Sequence, residues 1–265
     1  MNAQPNEYLF VDGACLQSTL AHYAKTYFGS ASLRANYWSL FAGFSRIFYY
    51  DALPSKKNDE SDGDFDARIA AKLGFFESLR RMGRVHIFEG VTRHRKRVGQ
   101  EQKQVDVLIA VHMLSHAHRG NMQRATLLTS DLDFKPLLDA LIMEGINTTL
   151  WYPPYCTNKD LLNSADSRRV LGLRACHGFL SPSDQVRFPI PEGISKFDAP
   201  DPDRTCKTKW SSSRYGEVRL YQESGSFEVV FQCDVNAGHW QYHRCSSQDI
   251  LKTCLSEEPG LDWFE

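Results

Sequence analysis

The chain has 265 residues, of which 42% are hydrophobic and 24% are charged, a composition ordinary for a globular protein. Its length suffices for one large domain, or for one domain with a smaller one attached. The formal net charge of −1 excludes a global electrostatic attraction to nucleic acid, so any such binding must come from a local patch.

The cysteine spacing and the hydropathy of the sequence predict its cellular compartment. The seven cysteines contain no C-x-x-C pair, and nothing in their spacing indicates a disulfide framework, which favours a reducing cytosol. The N-terminal residues 1–7 are polar and lack the apolar segment of a signal peptide. No apolar run approaches the ~18 residues that a membrane span needs. We therefore expect a cytoplasmic protein with no membrane partner.

Strand and helix patterns alternate from residue 8 to about residue 173. Short apolar runs rich in β-branched and aromatic residues predict strands, and they cover residues 8–11, 44–50, 85–88, 125–129 and 146–151. Apolar residues at helical spacing predict helices over residues 14–28, 66–82, 103–114, 133–144 and part of 161–173. A polar loop is predicted for residues 54–64. This order predicts βαβ units and a mostly parallel sheet flanked by helices.

A run of basic or titratable residues follows the third predicted strand, and it consists of Arg93, His94, Arg95, Lys96 and Arg97. Such a run is usually only a solvated face of the protein. Beside an acidic metal centre it would instead contact a phosphate backbone, together with the nearby Lys103.

The last third of the chain differs in composition. Residues 181–209 contain five prolines and are mostly polar, which predicts a linker between a domain over 1–180 and a module over 210–265. Alternating segments and turns in that module predict an antiparallel hairpin, a third strand and a short helix. A small α+β module of this size is near the lower limit for a core of its own. We expect it to pack on the main domain or on a second copy, as in a homo-oligomer.

Two other interpretations of the module remain open. Its cysteines and histidines could form a zinc site, although their spacing matches no standard finger; they are Cys206, Cys233, His239, His243, Cys245 and Cys254. Its aromatic residues could stack on bases, but such residues more often form a small core. These aromatic residues are Trp210, Tyr215, Tyr221, Phe227, Phe231, Trp240 and Tyr242.

Aspartates stand at the ends of the predicted strands, and these residues are Asp12, Asp51, Asp131 and Asp133, with Asp106 in the first turn of a helix. In a doubly wound sheet the carboxyl ends of strands and the starts of their helices meet at one edge. Several carboxylates there would repel one another without a counter-charge. An all-oxygen cluster selects Mg²⁺ or Mn²⁺, ions that activate water and stabilise in-line displacement at phosphorus.

Each aspartate also has a purely structural interpretation. Asp131 or Asp133 could cap a helix, with Pro136 tolerated in its first turn. Asp106 could be favoured by the helix macrodipole, and Asp12 with Gly13 is common turn chemistry. Taken alone, the 131–133 stretch fits a cap as well as a metal ligand pair, and the other acids favour the metal.

Five segments together resemble the NYN family of PIN-like nucleases in their order and spacing. They are Phe10-Val11-Asp12-Gly13, Tyr49-Tyr50-Asp51, Lys103-Gln104-Val105-Asp106, Thr129-Ser130-Asp131-Leu132-Asp133-Phe134 and Leu162-Asn163-Ser164-Ala165-Asp166. The resemblance covers residues 6 to about 175. It implies a PIN-like α/β fold and metal-dependent ribonuclease activity.

By position, the resemblance implies that the metal is held by Asp12, Asp106, Asp131 and Asp133, with Lys103 and Ser130 near the phosphate. One departure stands at Cys15, where the family often has asparagine after Asp-Gly-x. A thiol is only a weak donor, so an amide that could hold water or substrate is missing. A nucleophilic role for Cys15 is disfavoured because no histidine lies beside it in the motif.

We expect an endoribonuclease that uses Mg²⁺ or Mn²⁺ and cuts single-stranded or structured RNA. The alternative is an RNA-binding or regulatory protein that keeps the fold without turnover, which Cys15 favours. A phosphatase or nucleotide hydrolase using the same acidic edge is a third hypothesis. No Gly-rich phosphate loop is present, which argues against a P-loop enzyme.

Overall fold

The computed structural model describes residues 6–29, 31–90, 102–234, 239–258 and 261. Within them the strands are β1 Glu7–Asp12, β2 Arg46–Ala52, β3 Val85–Gly90, β4 Arg124–Leu128, β5 Asn147–Tyr152, β6 Ser167–Val170, β7 Gly193–Lys196, β8 Thr208–Ser212, β9 Gly216–Glu223, β10 Ser226–Asp234 and β11 His239–Cys245. The helices are α1 Gly13–Tyr27, α2 Tyr37–Leu40, α3 Asp62–Arg80, α4 Gln102–His118, α5 Lys135–Met143, α6 Lys159–Leu162, α7 Leu173–Gly178, α8 Pro182–Arg187 and α9 Gln248–Ser256, with a 3₁₀ turn at Leu132–Phe134.

The chain divides into two compact units. The first contains the chain up to His22 and Asn36–Leu171, and the second contains Tyr23–Ala35 and the chain from Gly172 onward. In the described residues, no helix is both long enough and apolar enough to cross a membrane.

The first unit is built on a six-stranded sheet, in the order β3-β2-β1-β4-β5-β6, whose described strands all pair in parallel. Strands β1 and β4 are neighbours, although two other strands and four helices separate them in the chain. The central strands are continuous apolar runs because helices cover both of their faces. The predicted mostly parallel sheet with flanking helices is confirmed.

The two faces of this sheet are covered by different helices. On one face Phe10 and Leu127 share a core with Ile109 of α4 and Leu138 of α5. On the other face α3 approaches β2, and the ring of Phe75 lies with its centroid 5.8 Å from that of Tyr49. Since side chains alternate along a strand, residues two apart project to the same side. This parity decides which helix each strand-end aspartate faces.

Several predicted boundaries in this unit shift. Helix α3 begins at Asp62 because Ser61 caps it, accepting a hydrogen bond from the Asp64 amide, so the predicted loop over 54–64 is too long. Strand β2 continues through Asp51 instead of ending before it. The helix predicted from Asp133 is a 3₁₀ turn followed by α5, which has Pro136 in its first turn.

The second unit contains an antiparallel sheet in the order β7-β11-β10-β9-β8. The predicted hairpin is β9–β10, the predicted third strand is β11, and the short helix is α9, so the α+β module is confirmed. Tyr221 and Phe231 are buried in this unit, which agrees with a packing role for its aromatic residues.

Residues 181–209 differ from the predicted linker. They contain α8 and β7, and β7 pairs with β11 as an edge strand of the antiparallel sheet. Pro182 occupies the first turn of α8, where a missing N–H costs nothing. The prolines of this stretch therefore mark element boundaries within a folded unit, and polar composition alone did not reveal the strand.

Candidate active site

The acidic residues converge where the sheet reverses its strand order. Strand β1 is followed, after α1 and α2, by β2, which pairs on one side of it, whereas β4 pairs on its other side and is followed by β5. A crevice forms at the carboxyl ends of two such neighbours because the helices that follow them leave to opposite sides. Asp12 ends β1, and the segment Thr129–Asp131 follows β4.

Asp12 is fixed in place by two hydrogen bonds. Its Oδ1 accepts from the Cys15 amide at 3.1 Å, and its Oδ2 accepts from the Thr129 hydroxyl at 3.0 Å. The side chain is buried, and burial raises the pKa of Asp12 above its ordinary value although these hydrogen bonds oppose the shift. A carboxylate held in this way is oriented in advance for a cation.

Thr129 connects the two strand ends. Its Oγ1 donates to Asp12 and also accepts from the Asp131 amide at 3.2 Å. Asp131 in turn accepts a hydrogen bond through Oδ1 from the Asp133 amide at 3.0 Å, which makes it the N-cap of the 3₁₀ turn. The cap interpretation is thus confirmed for Asp131 and not for Asp133, and the cap uses one carboxylate oxygen of Asp131.

Asp106 completes the acidic group from the first turns of α4. Burial, and after it the negative charges of Asp12, Asp131 and Asp133, together raise its pKa to about 6. Asp106 is therefore close enough to the other three carboxylates for their charges to act on it. We name these four residues, Asp12, Asp106, Asp131 and Asp133, the acidic cluster.

The acidic cluster matches a hard divalent cation in donor type, because all of its side-chain donors are carboxylate oxygens. A cation would also relieve both the burial of the Asp106 charge and its repulsion by the other three carboxylates, which together raise the pKa of Asp106. However, among the residues for which the structure gives positions, no three acidic, histidine or cysteine side chains form a ready-made set of metal ligands. This includes the described cysteines and histidines that were considered for zinc. Water or a phosphate oxygen would have to complete the coordination of any ion bound to the cluster.

We predict that replacing Asp106 by asparagine stabilises the metal-free protein. A carboxyl group whose pKa is about 6 when folded and 3.8 in its ordinary state destabilises the fold progressively as pH rises between these values. Partial exposure of Asp106 reduces the effect to about 1 kcal/mol at pH 7. Thermal unfolding of both proteins in EDTA should show a stability gap at pH 7 that shrinks towards pH 4.

The exposed carboxylate of Asp139 provides the control for this prediction, because it pairs with Lys135 on the surface of α5. Asp139→Asn should give no stabilisation at any pH in the same range. A stability gap for Asp106→Asn that does not change with pH would show that ionisation of Asp106 is not its cause.

Asp51, the fifth candidate, serves a structural role. It shares the face of Tyr49 and not that of Phe10, and its Oδ2 lies 2.5 Å from the Lys72 ammonium of α3. The Ala52 amide donates to its Oδ1 at 2.8 Å. A Cβ at Gly13 would meet Asp51 Oδ2 and the Tyr50 carbonyl, both at 2.7 Å, so this position requires glycine.

Ser130 lies beside the acidic cluster, and its hydroxyl is 3.6 Å from the Cys15 sulfur. Burial, and secondly the charge of Asp12, raises the pKa of Cys15 to about 12, so its thiol is protonated at neutral pH. Lys103 belongs to α4, but its side chain lies outside the described residues. The predicted phosphate contacts of the basic run also lie outside them: Arg93, Arg95, Lys96 and Arg97.

Asp166, from the last of the five resembling segments, holds the edge of the sheet. Its Oδ2 accepts from the amide and the hydroxyl of Thr148, at 2.8 and 2.9 Å. It therefore joins the start of β6 to β5 and takes no part in the acidic cluster.

Thr129 lies in one of the five resembling segments, but no role at the candidate site was predicted for it. The available signal was that the apolar run of β4 stops at two hydroxyl residues, Thr129 and Ser130, directly before Asp131. Only the pairing of β1 with β4 shows that the first hydroxyl reaches across to Asp12.

The parallel sheet, its strand order and the acidic crevice define a Rossmann-like α/β protein of the PIN-like kind. The NYN domain model matches residues 8–171, more than half of the chain, and the chain belongs to the NYN family. This places it in the PIN-like nuclease superfamily, whose members act on nucleic acid and generally depend on divalent metals.

A crystal structure of a protein of unknown function from Vibrio parahaemolyticus is similar at 18% sequence identity and a TM-score of 0.49, covering 68% of this chain and 99% of that one. No curated protein matches the sequence.

Proposed function

We propose that this protein is a divalent-metal-dependent endoribonuclease that hydrolyses RNA phosphodiester bonds at the acidic cluster. The observation that carries the proposal is the convergence of Asp12, Asp106, Asp131 and Asp133 at the switch point of the sheet. Family membership supports nuclease chemistry in general. The proposal goes further than family membership in two respects: the substrate is RNA, and the cleaved bonds are internal.

The acidic cluster would hold Mg²⁺ or Mn²⁺, which when bound activates water and neutralises charge at the phosphate. Asp12 has little freedom to move because Cys15 and Thr129 fix both of its oxygens. Asp131 is oriented by its cap on the 3₁₀ turn, so its position depends on the backbone of that turn. Preorganised carboxylates of this kind lose little entropy on binding a cation.

The substrate backbone requires positive charge, which the acidic cluster does not supply. We assign this role to Lys103 and to the basic run Arg93, Arg95, Lys96 and Arg97, with Ser130 beside the phosphate. Contacts of this type position the strand without reading its sequence. Binding should therefore weaken steeply as salt concentration rises.

The experiment that tests this function compares substrates under defined metal conditions. The full chain is incubated with total RNA, with DNA of matched length and with a small phosphoester, in Mn²⁺, in Mg²⁺ and in EDTA. We expect cleavage of RNA at internal positions that EDTA abolishes. Hydrolysis of the small phosphoester alone would indicate a phosphatase or nucleotide hydrolase instead.

A non-catalytic RNA-binding protein is the second candidate, and Cys15 is the feature that favours it. The thiol occupies the place of the family's asparagine, and its sulfur lies beside Ser130 within the site. It offers only weak hydrogen bonding where an amide could hold water or substrate.

We predict that Cys15→Asn raises the RNA cleavage rate several-fold if the thiol limits turnover. The amide of residue 15 still donates to Asp12 in this variant, so that carboxylate should keep its place. Single-turnover cleavage measures the effect, and Cys15→Ser serves as a size control. RNA binding without cleavage in both the natural chain and Cys15→Asn would support the non-catalytic alternative.

A further inference from the structure

A surface groove runs beside the acidic cluster, between α4 and the segment formed by the 3₁₀ turn and α5. Its volume is about 450 Å³, within the range of small-molecule sites. The side chains that form its walls include Val107, Ala110 and Leu114 from α4, and Pro136 and Ala140 from α5. We name this feature the α4–α5 groove.

The α4–α5 groove and the acidic cluster share two residues, Asp106 and Asp133. Both stand at the starts of their helical segments, which lie at the carboxyl edge of the sheet. All other side chains that line the groove are apolar. The groove therefore begins at the carboxylates and continues as an apolar surface away from them.

Apolar side chains of this groove remain open to solvent. Val107 keeps 61% of its surface exposed, and Leu114 keeps 37%. Contiguous exposed apolar surface next to a polar site commonly marks a place where a ligand binds. A ligand that carries a cation-bound phosphate at one end and an apolar group at the other would match both parts.

We propose that the α4–α5 groove receives the nucleobase attached to the nucleotide next to the scissile phosphate, a proposal that rests on the ribonuclease function above. A phosphate at the acidic cluster carries a nucleoside on each side, and the groove that begins at Asp106 and Asp133 is within reach of one of their bases. The faces of a base are apolar and lose water favourably against aliphatic side chains. Apart from the two carboxylates the walls offer no side-chain hydrogen-bonding group, so the groove accepts any base and selects for the presence of one.

A protein partner or a second copy fits the groove less well. Covering the groove would bury the carboxylates of Asp106 and Asp133, which is costly without paired positive charge. A nucleotide bound with its cation brings that positive charge to the same end of the groove. The arrangement of charge therefore favours a nucleotide.

Two valines on α4 allow a matched test. Val107 lines the groove, whereas Val111 is 51% exposed on the same helix and is not among the groove-lining residues. We expect Val107→Gln to raise KM for RNA about 10-fold with little change in kcat, by loss of the contact with the base. Val111→Gln should leave both constants unchanged. Glutamine is a good helix former and both positions are exposed, so both variants should fold.

A second substrate and a second variant test the base itself. An RNA with one abasic nucleotide beside the mapped cleavage position should be cut about 10-fold less well by the natural chain. Val107→Gln should lose this preference, since the contact is already absent. Ala110→Met, which fills the groove, should weaken cleavage of the intact RNA in the same way.

Three outcomes would overturn the proposal. The first is an equal effect of Val107→Gln and Val111→Gln on cleavage. The second is unimpaired cleavage beside the abasic position. The third is self-association of the natural chain that Val107→Gln abolishes, because this result would assign the groove to a second copy. Asp131→Asn separates the two proposals. If cleavage depends on Asp131 but not on Val107, only the groove assignment fails, whereas cleavage that survives Asp131→Asn removes the proposed function and the groove assignment with it.

Discussion

Asp131→Asn should reduce metal-dependent RNA cleavage about 100-fold or more while leaving the fold intact. Asparagine retains an oxygen that can accept the hydrogen bond from the Asp133 amide, so the cap of the 3₁₀ turn survives. The substitution removes one negative charge from the acidic cluster, which weakens the attraction for a divalent cation. Cleavage of a labelled RNA in Mn²⁺, with and without EDTA, measures the loss.

Asp139→Asn is the matched control, since Asp139 lies eight residues further along the same segment and forms an exposed ion pair with Lys135. It should cleave like the natural chain. Thermal unfolding in EDTA should show that both variants are folded. Cleavage by Asp131→Asn at the natural rate would refute the assignment of the acidic cluster as the catalytic centre.

Lys72→Met should destabilise the first unit by about 3 kcal/mol, because it leaves the buried carboxylate of Asp51 without its partner. Methionine keeps the length and the apolar part of the side chain, so the loss reports the missing charge. In a unit of this size the melting temperature should fall by roughly 10 °C. Differential scanning calorimetry of the metal-free protein measures it.

Two further variants show whether the loss comes from the unpaired charge. The double variant Asp51→Asn/Lys72→Met should recover part of the stability, since no buried charge then lacks a partner. Lys135→Met breaks an exposed pair and should cost less than about 1 kcal/mol. If Lys72→Met costs no more than Lys135→Met, Asp51 does not depend on Lys72.

The alternation of strands and helices could be predicted from the sequence because buried parallel strands are continuous apolar runs. Segments such as Tyr8–Val11 and Ala125–Leu128 have no polar face, which distinguishes them from the amphipathic helices between them. The observed helix boundaries differ from the predicted ones where a local hydrogen bond outweighs residue propensity. Ser61, for example, caps α3, so that helix begins before the predicted residue. Strand β7 was not predicted because its sequence has no apolar pattern, and it becomes a strand through its hydrogen bonds to β11.

The residues of the candidate site could be proposed from the sequence, but the hydrogen bonds between them could not. The positions of Asp12, Asp106, Asp131 and Asp133 follow from the rule that strand ends and helix starts share one edge of a sheet. The sequence gives no distance between Asp12 and Thr129, which lie 117 residues apart and form one hydrogen bond. It also does not show that Asp51 is held by Lys72.

The sequence by itself determined the α/β class, the family resemblance and the acidic residues at strand ends, because these depend on local pattern and on composition. The tertiary structure decided which aspartates lie near one another. Strand order places β1 beside β4, and the parity of side chains turns Asp12 towards α4 and Asp51 towards α3. The α4–α5 groove likewise exists only in the folded chain, since two helices separated in sequence form its walls.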